Sequence, residues 1–348
     1  MNSATLTRVP VALGERSYDV VIGPGARHRL ADTLRGLGAR RAFIVAARPR
    51  EWLPDPGVPH TIAPWQDGET AKRLGRVEEL CRAFAGYGLS RRDVVVGVGG
   101  GSTTDAVGLA AGLYHRGVPV VHLPTTLLAQ VDASVGGKTA VNLPEGKNLI
   151  GTYWQPRAVL CDTDFLETLP AAELTSGYGE IARAYFIGAG DLRALPLPEQ
   201  IAACVALKAR IVAQDEREAG RRSILNYGHT LGHALEIVTG FELRHGHAVG
   251  IGTAYAARLA RALGRITSDR AREHYDVLRH YGLPTAPPAS LKTDSATVVE
   301  LMRRDKKSEG GLTFVLDGPR GVELVSDVPE GLVLSTYNEM SEAELANL

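Results

Sequence analysis

The sequence predicts an α/β protein in which an N-terminal domain built on a parallel sheet precedes a mainly helical C-terminal domain. A chain of 348 residues exceeds the size at which one hydrophobic core usually keeps growing, so we expect two domains sharing a cleft. Short β-branched runs alternate with helical stretches in the first half, a pattern typical of parallel sheets. From about Leu166 onward, helical periodicity replaces the strand-like runs. We therefore place the domains at residues 1–165 and 166–348.

The predicted strands lie in the first half of the chain, and the long predicted helices lie in the second, which agrees with this division. The predicted strands are residues 18–22, 42–46, 93–98, 118–123 and 158–161, each a short apolar run. A helix follows the third strand and ends near Leu113. In the second half, periodicity predicts helices at residues 201–215 and 247–263. Proline-rich segments at residues 54–59 and 284–288 are predicted to be surface connections.

Composition and charge exclude several classes of function. Lys plus Arg and Asp plus Glu both total 39, so no overall field favours a nucleic acid or an acidic membrane. Cys81, Cys161 and Cys204 show no CxxC spacing, which argues against a disulfide framework or a zinc knuckle. The N-terminus is too polar for a signal peptide, and no apolar run approaches the roughly 18 residues that a membrane span needs. We expect a cytoplasmic protein.

A glycine turn follows the strand that ends near Val98. It reads Gly99-Gly100-Gly101-Ser102-Thr103-Thr104-Asp105 and leads into a helix. Glycines allow a pyrophosphate to approach the backbone, and a helix N-terminus offers N–H groups and a partial positive charge. This is the outline of a dinucleotide site, although it departs from the GxGxxG fingerprint of the standard Rossmann domain. A tight turn that binds nothing is the alternative for this segment taken alone.

Two further polar segments lie near strand ends in the first half. Residues 67–72, Asp-Gly-Glu-Thr-Ala-Lys, form a loop that opens a helix. Thr125 and Thr126 follow a strand at its carboxyl end, where open α/β sheets place their ligands. Without other motifs, a solvated turn explains the first segment and helix capping explains the second.

Histidines in the second half are grouped in a way that suits a metal. His229 and His233 stand at i and i+4, hence on one helix face, and His245 follows. Imidazoles grouped in this way suit Zn²⁺ or a similar divalent ion, with Glu180 as a plausible oxygen ligand. A packed or exposed pair of histidines that binds no metal is the alternative reading.

A second glycine-rich stretch, residues 132–148, contains the cationic residues Lys138 and Lys147. Lysines beside glycine loops suit phosphate and carboxylate groups. Further along, the chain adds Lys208, Arg221, Arg222, Lys306 and Lys307. The alternative is that these charged residues lie in solvated loops or on a solvent-exposed surface and bind no ligand.

In this order, from Asp67 to Lys307, the motifs closely resemble those of 3-dehydroquinate synthases, members of the wider sugar phosphate cyclase family. The stretches that carry the resemblance are residues 99–105, 123–126, 130–148, 215–218, 226–234, 245–246 and 305–307. The resemblance implies an enzyme that converts a 3-deoxy-heptulosonate 7-phosphate into a carbocycle and phosphate. It implies transient oxidation by NAD, elimination of phosphate, reduction and aldol closure, so that the cofactor ends unchanged and the enzyme is a phosphorus–oxygen lyase.

The resemblance also implies roles for individual residues. Glu180, His229 and His245 would hold zinc, with cobalt as an alternative. The NAD site would be lined by Asp67, Gly68, Glu69, Lys72, Gly99, Gly100, Gly101, Ser102, Thr103, Thr104, Asp105, Thr125, Thr126, Lys138, Lys147, Phe165 and Thr168. The substrate would face Asp132, Lys138, Asn148, Arg183, Lys208, Arg222, Asn226, His233 and one lysine of the Lys306–Lys307 pair, which we take as Lys306. Arg116 resembles an arginine lent to the neighbouring subunit's phosphate site, which implies a homodimer.

The chain departs from the family pattern next to Glu180. Relatives of primary metabolism usually read Glu-Val-Ile-Lys-Tyr-Gly, whereas this chain reads Glu180-Ile-Ala-Arg183-Ala-Tyr, so an arginine replaces an active-site lysine. The connection at residues 186–199 is short, and His247 stands where a glutamate is frequent, with no role assigned. These features are similar to the aminodehydroquinate synthases of ansamycin-type antibiotic pathways, which cyclise an amino analogue of the substrate.

Other functions are retained as alternatives. An ordinary 3-dehydroquinate synthase is the first of them, whereas cyclases that make valiolones or inososes are disfavoured because Lys208, Arg222 and Asn226 are all present. Iron-containing alcohol dehydrogenases and glycerol dehydrogenases share the two-domain plan, but their net redox chemistry would not need the clustered cations. A non-catalytic protein is disfavoured because no predicted ligand position is vacant.

Overall fold

The chain divides into two compact units, each formed by two segments. The computed structural model describes residues 6–305 and 312–340. The first unit comprises Met1–Pro170 and Pro196–Arg217, and the second comprises Ala171–Leu195 and Glu218–Leu348. The chain therefore leaves the first unit and returns to it once before the second unit is completed.

The first unit is built on a seven-stranded sheet with the order β1-β2-β9-β6-β5-β3-β4. Strand β1 pairs with β2 antiparallel, and every other neighbouring pair is parallel. The strands of this unit are β1 Thr7–Val11, β2 Tyr18–Gly23, β3 Ala42–Ala46, β4 His60–Pro64, β5 Val94–Gly99, β6 Val120–Pro124, β7 Lys138–Leu143, β8 Gly146–Tyr153 and β9 Ala158–Asp162. The parallel α/β fold predicted from the sequence is confirmed.

Side-chain alternation along the strands buries both faces of the sheet. Phe43 and Val45 of β3 belong to one apolar cluster, whereas Ile44 belongs to another. Because successive residues of a strand point to opposite faces, these clusters lie on the two sides of the sheet. The helices of this unit are α1 Leu30–Gly36, α2 Leu74–Tyr87, α3 Gly101–Leu113 and α5 Leu197–Gln214. Strands buried on both faces explain the continuous apolar runs of the sequence.

Three parts of the first unit differ from the sequence-based prediction. Residues 132–148 were described from the sequence only as a glycine-rich stretch, without strands, but β7 and β8 pair as an antiparallel hairpin within it. Over the first four residues of β7, buried positions alternate with exposed or half-buried ones, a strand signal that the surrounding glycines and lysines concealed. Strands β1 and β4 were also missed. Both contain a proline, which weakens a strand signal and is tolerated at the sheet edges that they form.

The second unit is mainly helical, as predicted, and also contains a small hairpin. Its helices are α4 Ala171–Ala184, α6 His229–Val238, α7 His245–Ala262, α8 Ser268–His280, α9 Ser295–Asp305 and α10 Glu330–Asn338. Strands β10 Leu312–Leu316 and β11 Glu323–Val328 form an antiparallel pair that the sequence reasoning missed. Over the described residues of both units, no helix combines the length and the apolar character that crossing a membrane requires.

Glycines allow helices α4, α6 and α7 to approach one another closely. A Cβ atom at Gly246 of α7 would overlap the backbone of Ser176 on α4. A Cβ atom at Gly252 would overlap the carbonyl of Gly228, which precedes α6. The three helices can therefore pack backbone against backbone only because these positions lack side chains.

Candidate functional site

Asp67 lies at the start of helix α3, where the glycine turn leaves strand β5. Its carboxylate accepts hydrogen bonds from the Gly100 N–H at 2.7 Å and from the Thr103 hydroxyl at 2.9 Å. The Gly68 N–H and the Ser102 hydroxyl donate to the same carboxylate. A negative charge at a helix N-terminus is stabilised by the free N–H groups and the helix dipole. Asp67 thus joins the predicted loop at residues 67–72 to the predicted glycine turn.

Crowding, rather than backbone angle, requires glycine in this turn. A Cβ atom at Gly99 would lie 2.5 Å from the Thr103 hydroxyl oxygen, closer than real Cβ contacts come. A Cβ atom at Gly100 would lie 2.9 Å from an Asp67 carboxylate oxygen, although Gly100 has an ordinary φ of −74°. Gly101 is less tightly packed, since its Cβ would lie 3.2 Å from that of Ala133. The side chains of Thr103 and Asp67 therefore leave little room for a Cβ atom at Gly99 and Gly100.

Lys72, Asp105 and Asn148 form a connected polar group. The Lys72 ammonium lies 2.6 Å from Asp105 Oδ2 and donates to Asn148 Oδ1 at 2.5 Å. Asn148 has φ of +57°, a left-handed conformation that asparagine tolerates better than most residues. Burial raises the pKa of Asp105, and the neighbouring Lys72 opposes that rise. Two residues predicted to line the NAD site therefore contact each other, and Asn148 joins them.

The hairpin β7–β8 is attached to the 67–72 loop through Glu69. Asn142 Nδ2 donates to Glu69 Oε1 at 2.6 Å, and Lys147 Nζ lies 3.7 Å from the same oxygen. Asn142 Oδ1 in turn accepts a hydrogen bond from the Asn148 N–H at 2.9 Å. These contacts bring the second glycine-rich stretch beside the first predicted binding loop.

Other predicted NAD residues lie around the carboxyl ends of β6 and β9. The Thr125 N–H donates to the Gly99 carbonyl at 2.9 Å, which connects the end of β6 to the glycine turn. Thr126 Oγ1 accepts from the Ala129 N–H at 3.2 Å. Phe165 is fully buried after β9, and the Thr168 hydroxyl donates to its carbonyl at 2.7 Å. The structure thus places these residues at the carboxyl ends of the parallel strands, where ligands of open α/β folds bind.

Two predicted substrate residues of the first unit form an ion pair. Lys208 Nζ on α5 lies 2.9 Å from Asp132 Oδ1 and donates to the Asp132 carbonyl at 2.7 Å. Lys208 is buried.

Two other predicted residues of the first unit lie at its surface. Lys138 begins strand β7 with its side chain exposed. Arg116 is also exposed, in a left-handed backbone conformation with φ of +63°.

Arg48 was not singled out from the sequence, although it lies just beyond strand β3 at the same sheet edge. Its Nη2 lies 3.4 Å from the Thr125 carbonyl oxygen. Burial lowers the pKa of Arg48, and the charge of Asp67 opposes that effect. A basic residue directly after a predicted strand was the available signal, since strand ends of parallel sheets collect ligand-binding groups.

Glu180, His229 and His245 come together in the second unit. Helix α4 carries Glu180, while His229 and His245 are the first residues of α6 and α7. One ligand atom from each residue lies within 4.8 Å of the others. Nε2 of His245 is 3.1 Å from Glu180 Oε1, and Nε2 of His229 is 3.6 Å from that oxygen. The close packing of α4, α6 and α7 makes this grouping possible.

His229 is held as a neutral imidazole with a defined proton position. Burial lowers the pKa of His229 well below its usual value, and the nearby Arg183 lowers it further. Its Nδ1 lies 3.1 Å from the Tyr227 carbonyl oxygen. Because a carbonyl can only accept a hydrogen bond, we assign the imidazole proton to Nδ1. The lone pair of Nε2 is then left for Glu180 or a cation.

His245 lies between two carboxylates. Its Nε2 faces Glu180, and its Nδ1 lies 3.3 Å from Glu236 Oε2. Burial alone would lower the pKa of His245, but hydrogen bonds to Glu180 and Glu236 raise this pKa to about 10. A cation bound between His245 and Glu180 would take the place of the proton on Nε2.

The three residues fit a divalent metal such as zinc. Zinc bonds of about 2.1 Å in a tetrahedral arrangement place neighbouring ligand atoms about 3.4 Å apart. The two nitrogen-to-oxygen distances at Glu180, 3.1 and 3.6 Å, bracket that separation. Two imidazoles and one carboxylate also form a ligand set used in catalytic zinc sites, where a further position stays open.

Arg183 contacts a predicted metal ligand directly. Its Nη1 lies 2.8 Å from Glu180 Oε2 and donates to the Leu225 carbonyl at 2.6 Å. The side chain is only 6% exposed, so this cation belongs to the interior of the unit and not to its surface. Arg183 therefore connects Glu180 to the short helical turn Arg221–Asn226.

Four further residues of the second unit were predicted to face the substrate, namely Arg222, Asn226, His233 and Lys306. Arg222 is fully buried, and Asn226 Nδ2 donates to Glu218 Oε1 at 3.0 Å. The His233 ring centre is 5.3 Å from that of His229 and 6.4 Å from that of His245. Lys306 lies outside the described residues.

Comparison with protein families identifies the class. The profile described as 3-dehydroquinate synthase N-terminal matches residues 62–176, and the profile described as 3-dehydroquinate synthase C-terminal matches residues 161–308. The chain belongs to the 3-dehydroquinate synthase family. It is a dehydroquinate synthase-type cyclase, which confirms the resemblance seen in its motifs.

Individual relatives narrow the comparison. The chain is 64% identical, over 98% of its length and 97% of the relative, to a protein of Amycolatopsis mediterranei named "Putative aminodehydroquinate synthase". It is 39% identical, over 97% of its length and 99% of the relative, to the 3-dehydroquinate synthase of Pseudarthrobacter chlorophenolicus. Both relatives match the chain almost from end to end.

Two solved structures have the same fold. One is a 2-deoxy-scyllo-inosose synthase complexed with carbaglucose-6-phosphate, NAD⁺ and Co²⁺, with a TM-score of 0.84, 26% identity, and coverage of 97% of this chain and 100% of that chain. The other is the 2-epi-5-epi-valiolone synthase ValA of Streptomyces hygroscopicus subsp. jinggangensis with NAD⁺ and Zn²⁺ bound, with a TM-score of 0.83, 30% identity, and coverage of 95% and 99%.

Proposed function

We propose that this chain is an aminodehydroquinate synthase, which cyclises a 4-amino-4-deoxy analogue of 3-deoxy-heptulosonate 7-phosphate and releases phosphate. The observation that carries the proposal is its 64% identity to the Amycolatopsis mediterranei protein, against 39% to the 3-dehydroquinate synthase of Pseudarthrobacter chlorophenolicus. The replacement of an expected lysine by Arg183 supports the same branch. An ammonium is a compact point charge, whereas guanidinium is a planar fork, so this exchange changes the shape of the site.

NAD and a divalent metal are the proposed cofactors. NAD would be bound by residues of the first unit around Asp67, Gly101 and Asp105, and zinc or cobalt by Glu180 and the two histidines. When bound, NAD supplies reversible hydride transfer and the metal supplies a Lewis acid. The NAD⁺-bound and metal-bound structures of 2-deoxy-scyllo-inosose synthase and ValA support both assignments.

The chain's own residues would bind and orient an anionic substrate. The substrate carries a phosphate and a carboxylate, and proposed partners for them include Lys208, Arg222 and Asn226. Lys208 is already oriented by its ion pair with Asp132 at 2.9 Å, so little side-chain entropy would be lost on binding. Fixed cations also stabilise the charge that develops on phosphate as the carbon–oxygen bond to it breaks, which supports a lyase that eliminates phosphate. Because elimination cleaves the C–O bond and leaves the P–O bond intact, we propose a carbon–oxygen lyase in place of the phosphorus–oxygen lyase expected from the sequence.

Substrate preference tests the proposal. Purified protein is given equal concentrations of the hydroxy substrate and its amino analogue with NAD⁺ and Zn²⁺, and the products are separated by mass. We expect kcat/KM for the amino compound to exceed that for the hydroxy compound by roughly tenfold or more, a ratio within the reach of a single polar contact. Faster turnover of the hydroxy compound would instead identify an ordinary 3-dehydroquinate synthase.

The variant Arg183→Lys tests the part assigned to the arginine. Because the two cations differ in shape, we expect the preference for the amino compound to fall in this variant. Zinc content is measured in parallel, since Arg183 also contacts Glu180 at 2.8 Å and a loss of metal would lower both rates equally. An unchanged preference at full zinc content would remove Arg183 from the argument.

A homodimer is also proposed, with Arg116 contributed to the neighbouring subunit. Arg116 is exposed, and the nearby Leu113 at the end of α3 is half exposed. The hairpin β7–β8 adds the exposed side chains of Leu143 and Leu149. We take these exposed leucines as candidate members of a contact with a second copy.

Mixing two inactive variants tests this arrangement. We expect Arg116→Ala and His229→Ala to be inactive alone, and sedimentation to show dimers of both. If the arginine acts across the interface, a mixed dimer of the two variants contains one subunit that combines an intact metal group with an arginine from its partner. Partial recovery of activity on mixing supports the proposal, whereas dimers without recovery would contradict it.

A further inference from the structure

Glu236 is a buried carboxylate of the second unit to which the sequence analysis assigned no role. It lies two helical turns after His229 on α6 and therefore on the same helix face. Only 3% of the residue is exposed, and its Oε2 lies 3.3 Å from Nδ1 of His245. A carboxylate that is removed from water needs hydrogen-bonding partners, and His245 is one of them.

We propose that Glu236 is a positioning residue of the metal site, which holds the proton of His245 on Nδ1 and keeps Nε2 available for the metal. The inference rests on the proposed metal site. A carboxylate accepts hydrogen bonds but cannot donate when ionised, so the nitrogen that faces it carries the proton. The other nitrogen, Nε2, faces Glu180 at 3.1 Å, where a bound metal would take the place of the proton on Nε2. Carboxylates behind metal-bound histidines fix ring orientation in this way.

The same pattern holds for each of the three proposed ligands. Behind His229, the Tyr227 carbonyl lies 3.1 Å from Nδ1. Behind Glu180, the Arg183 guanidinium lies 2.8 Å from Oε2, which leaves Oε1 directed toward both histidines. Glu236 completes the set behind His245. Each ligand atom is thus oriented by a partner on its far side.

Charge gives Glu236 a second effect on metal binding. Arg183 places a positive charge beside Glu180 and so opposes the approach of a divalent cation. With both histidines neutral, the two carboxylates and the one guanidinium leave this group with a single net negative charge. Without the charge of Glu236, the group would be neutral. Buried charges are weakly screened, so the loss should weaken the binding of a cation even where the fold is unchanged.

The variant Glu236→Gln tests the inference, because glutamine keeps the shape of the side chain and removes its charge. The matched control is Glu242→Gln, an exposed glutamate of the segment between α6 and α7. Zinc affinity is measured by competition with a chromophoric chelator, and the absorption spectrum of the Co²⁺-loaded protein reports ligand geometry. We expect Glu236→Gln to weaken zinc binding by roughly 10- to 100-fold and to change the cobalt spectrum. The control should match the wild-type protein in both measurements.

A purely structural role for Glu236 would give a different result. The metal-free variant would then melt at a lower temperature, while zinc affinity and the cobalt spectrum of the folded protein would match the wild type; this outcome overturns the inference. The charge-preserving variant Glu236→Asp provides a further comparison, since it should retain more zinc affinity than Glu236→Gln. Equal affinities in the two variants would remove the charge argument.

A measurement on the wild-type protein avoids any dependence on how the variants fold. In ¹⁵N-histidine NMR spectra of the zinc-loaded protein, we expect His245 to carry its proton on Nδ1 and the metal on Nε2. Metal on Nδ1 would overturn the inference directly. If the wild-type protein binds neither Zn²⁺ nor Co²⁺, the proposed metal site fails and this inference fails with it. Normal metal binding with an unaffected Glu236→Gln variant overturns the inference alone.

Discussion

At the scale of single residues, the proposed metal site depends on the protonation states of its histidines. Burial and the nearby Arg183 keep the pKa of His229 well below its usual value, so its Nε2 is available near neutral pH. Glu180 supplies the oxygen that both histidines face. A metal ligand set needs neutral imidazoles, and the surroundings of His229 favour that form, whereas at His245, with its pKa raised to about 10, a metal would have to displace a proton.

The variant His229→Ala should abolish metal retention. Removing one of three protein ligands leaves two donors, which hold a divalent ion poorly after purification at neutral pH. Metal content is measured by atomic emission after gel filtration, with the exposed His280→Ala of helix α8 as the matched control. Full zinc occupancy in His229→Ala would exclude this residue from the ligand set.

At the scale of elements, backbone contacts between helices bring the three ligands together. Gly246 directly follows His245, and a Cβ atom at this position would overlap the backbone of Ser176 on α4. The Gly246 N–H also donates to the Ser176 hydroxyl at 3.1 Å. The start of α7 is thereby held against the helix that carries Glu180.

The variant Gly246→Ala should lower both stability and metal affinity. Alanine in place of glycine stabilises a helix by about 0.5–1 kcal/mol, but overpacking a tight contact costs about 1–3 kcal/mol. The overlap should therefore make the substitution destabilising overall. Urea denaturation and zinc competition measure the two effects. Gly86→Ala is the control, because Gly86 lies in helix α2 with open space around its Cβ position. If Gly246→Ala is as stable as the control, the close contact does not control the packing.

The elements differ in how far the sequence could predict them. The bounds of β3 were predicted correctly because Ala42–Ala46 is a buried apolar run, and α5 was predicted within a few residues from its periodicity. The hairpin β7–β8 was missed because glycines and lysines obscured its alternation. Residue types suggested the metal group, but its assembly depends on contacts such as that of Gly246 with Ser176, which are distant in sequence. Glu236 carried no motif and could be recognised only from its neighbours, whereas the one sequence signal for Arg48 was its position just beyond a predicted strand.

At the scale of the whole molecule, neutral histidines buried in the interior make stability depend on pH. Burial lowers the pKa of His122, in strand β6 of the first unit, from 6.5 to about 4. Burial also lowers the pKa of His274 in the second unit to about 4. Between pH 6.5, the ordinary pKa of histidine in the unfolded chain, and about pH 4, the unfolded chain therefore binds protons at these histidines that the folded chain does not bind. Stability from these groups is therefore complete above pH 6.5 and is lost as the pH falls toward 4.

The variant His122→Gln should show a weaker pH dependence of stability. Each such histidine contributes a slope of about 1.4 kcal/mol per pH unit within the window, and removing one should remove that slope. The free energy of unfolding in urea is measured at pH 7, 6, 5 and 4.5 for both proteins. Carboxylates also titrate in this range, so the difference between the two curves is the quantity to compare. Parallel curves would show that His122 does not titrate differently on unfolding.

As a cyclase of this kind, the molecule should oxidise and then reduce its substrate with no net redox change. The most direct measurement supplies NAD⁺ at a small fraction of the substrate concentration, with Zn²⁺ and the amino substrate, and follows phosphate release and NADH absorbance together. We expect phosphate release to continue until the substrate is consumed, far beyond the amount of NAD⁺, while NADH stays close to zero. NADH that accumulates in proportion to substrate consumed, with phosphate retained on the product, would contradict the account and identify a dehydrogenase.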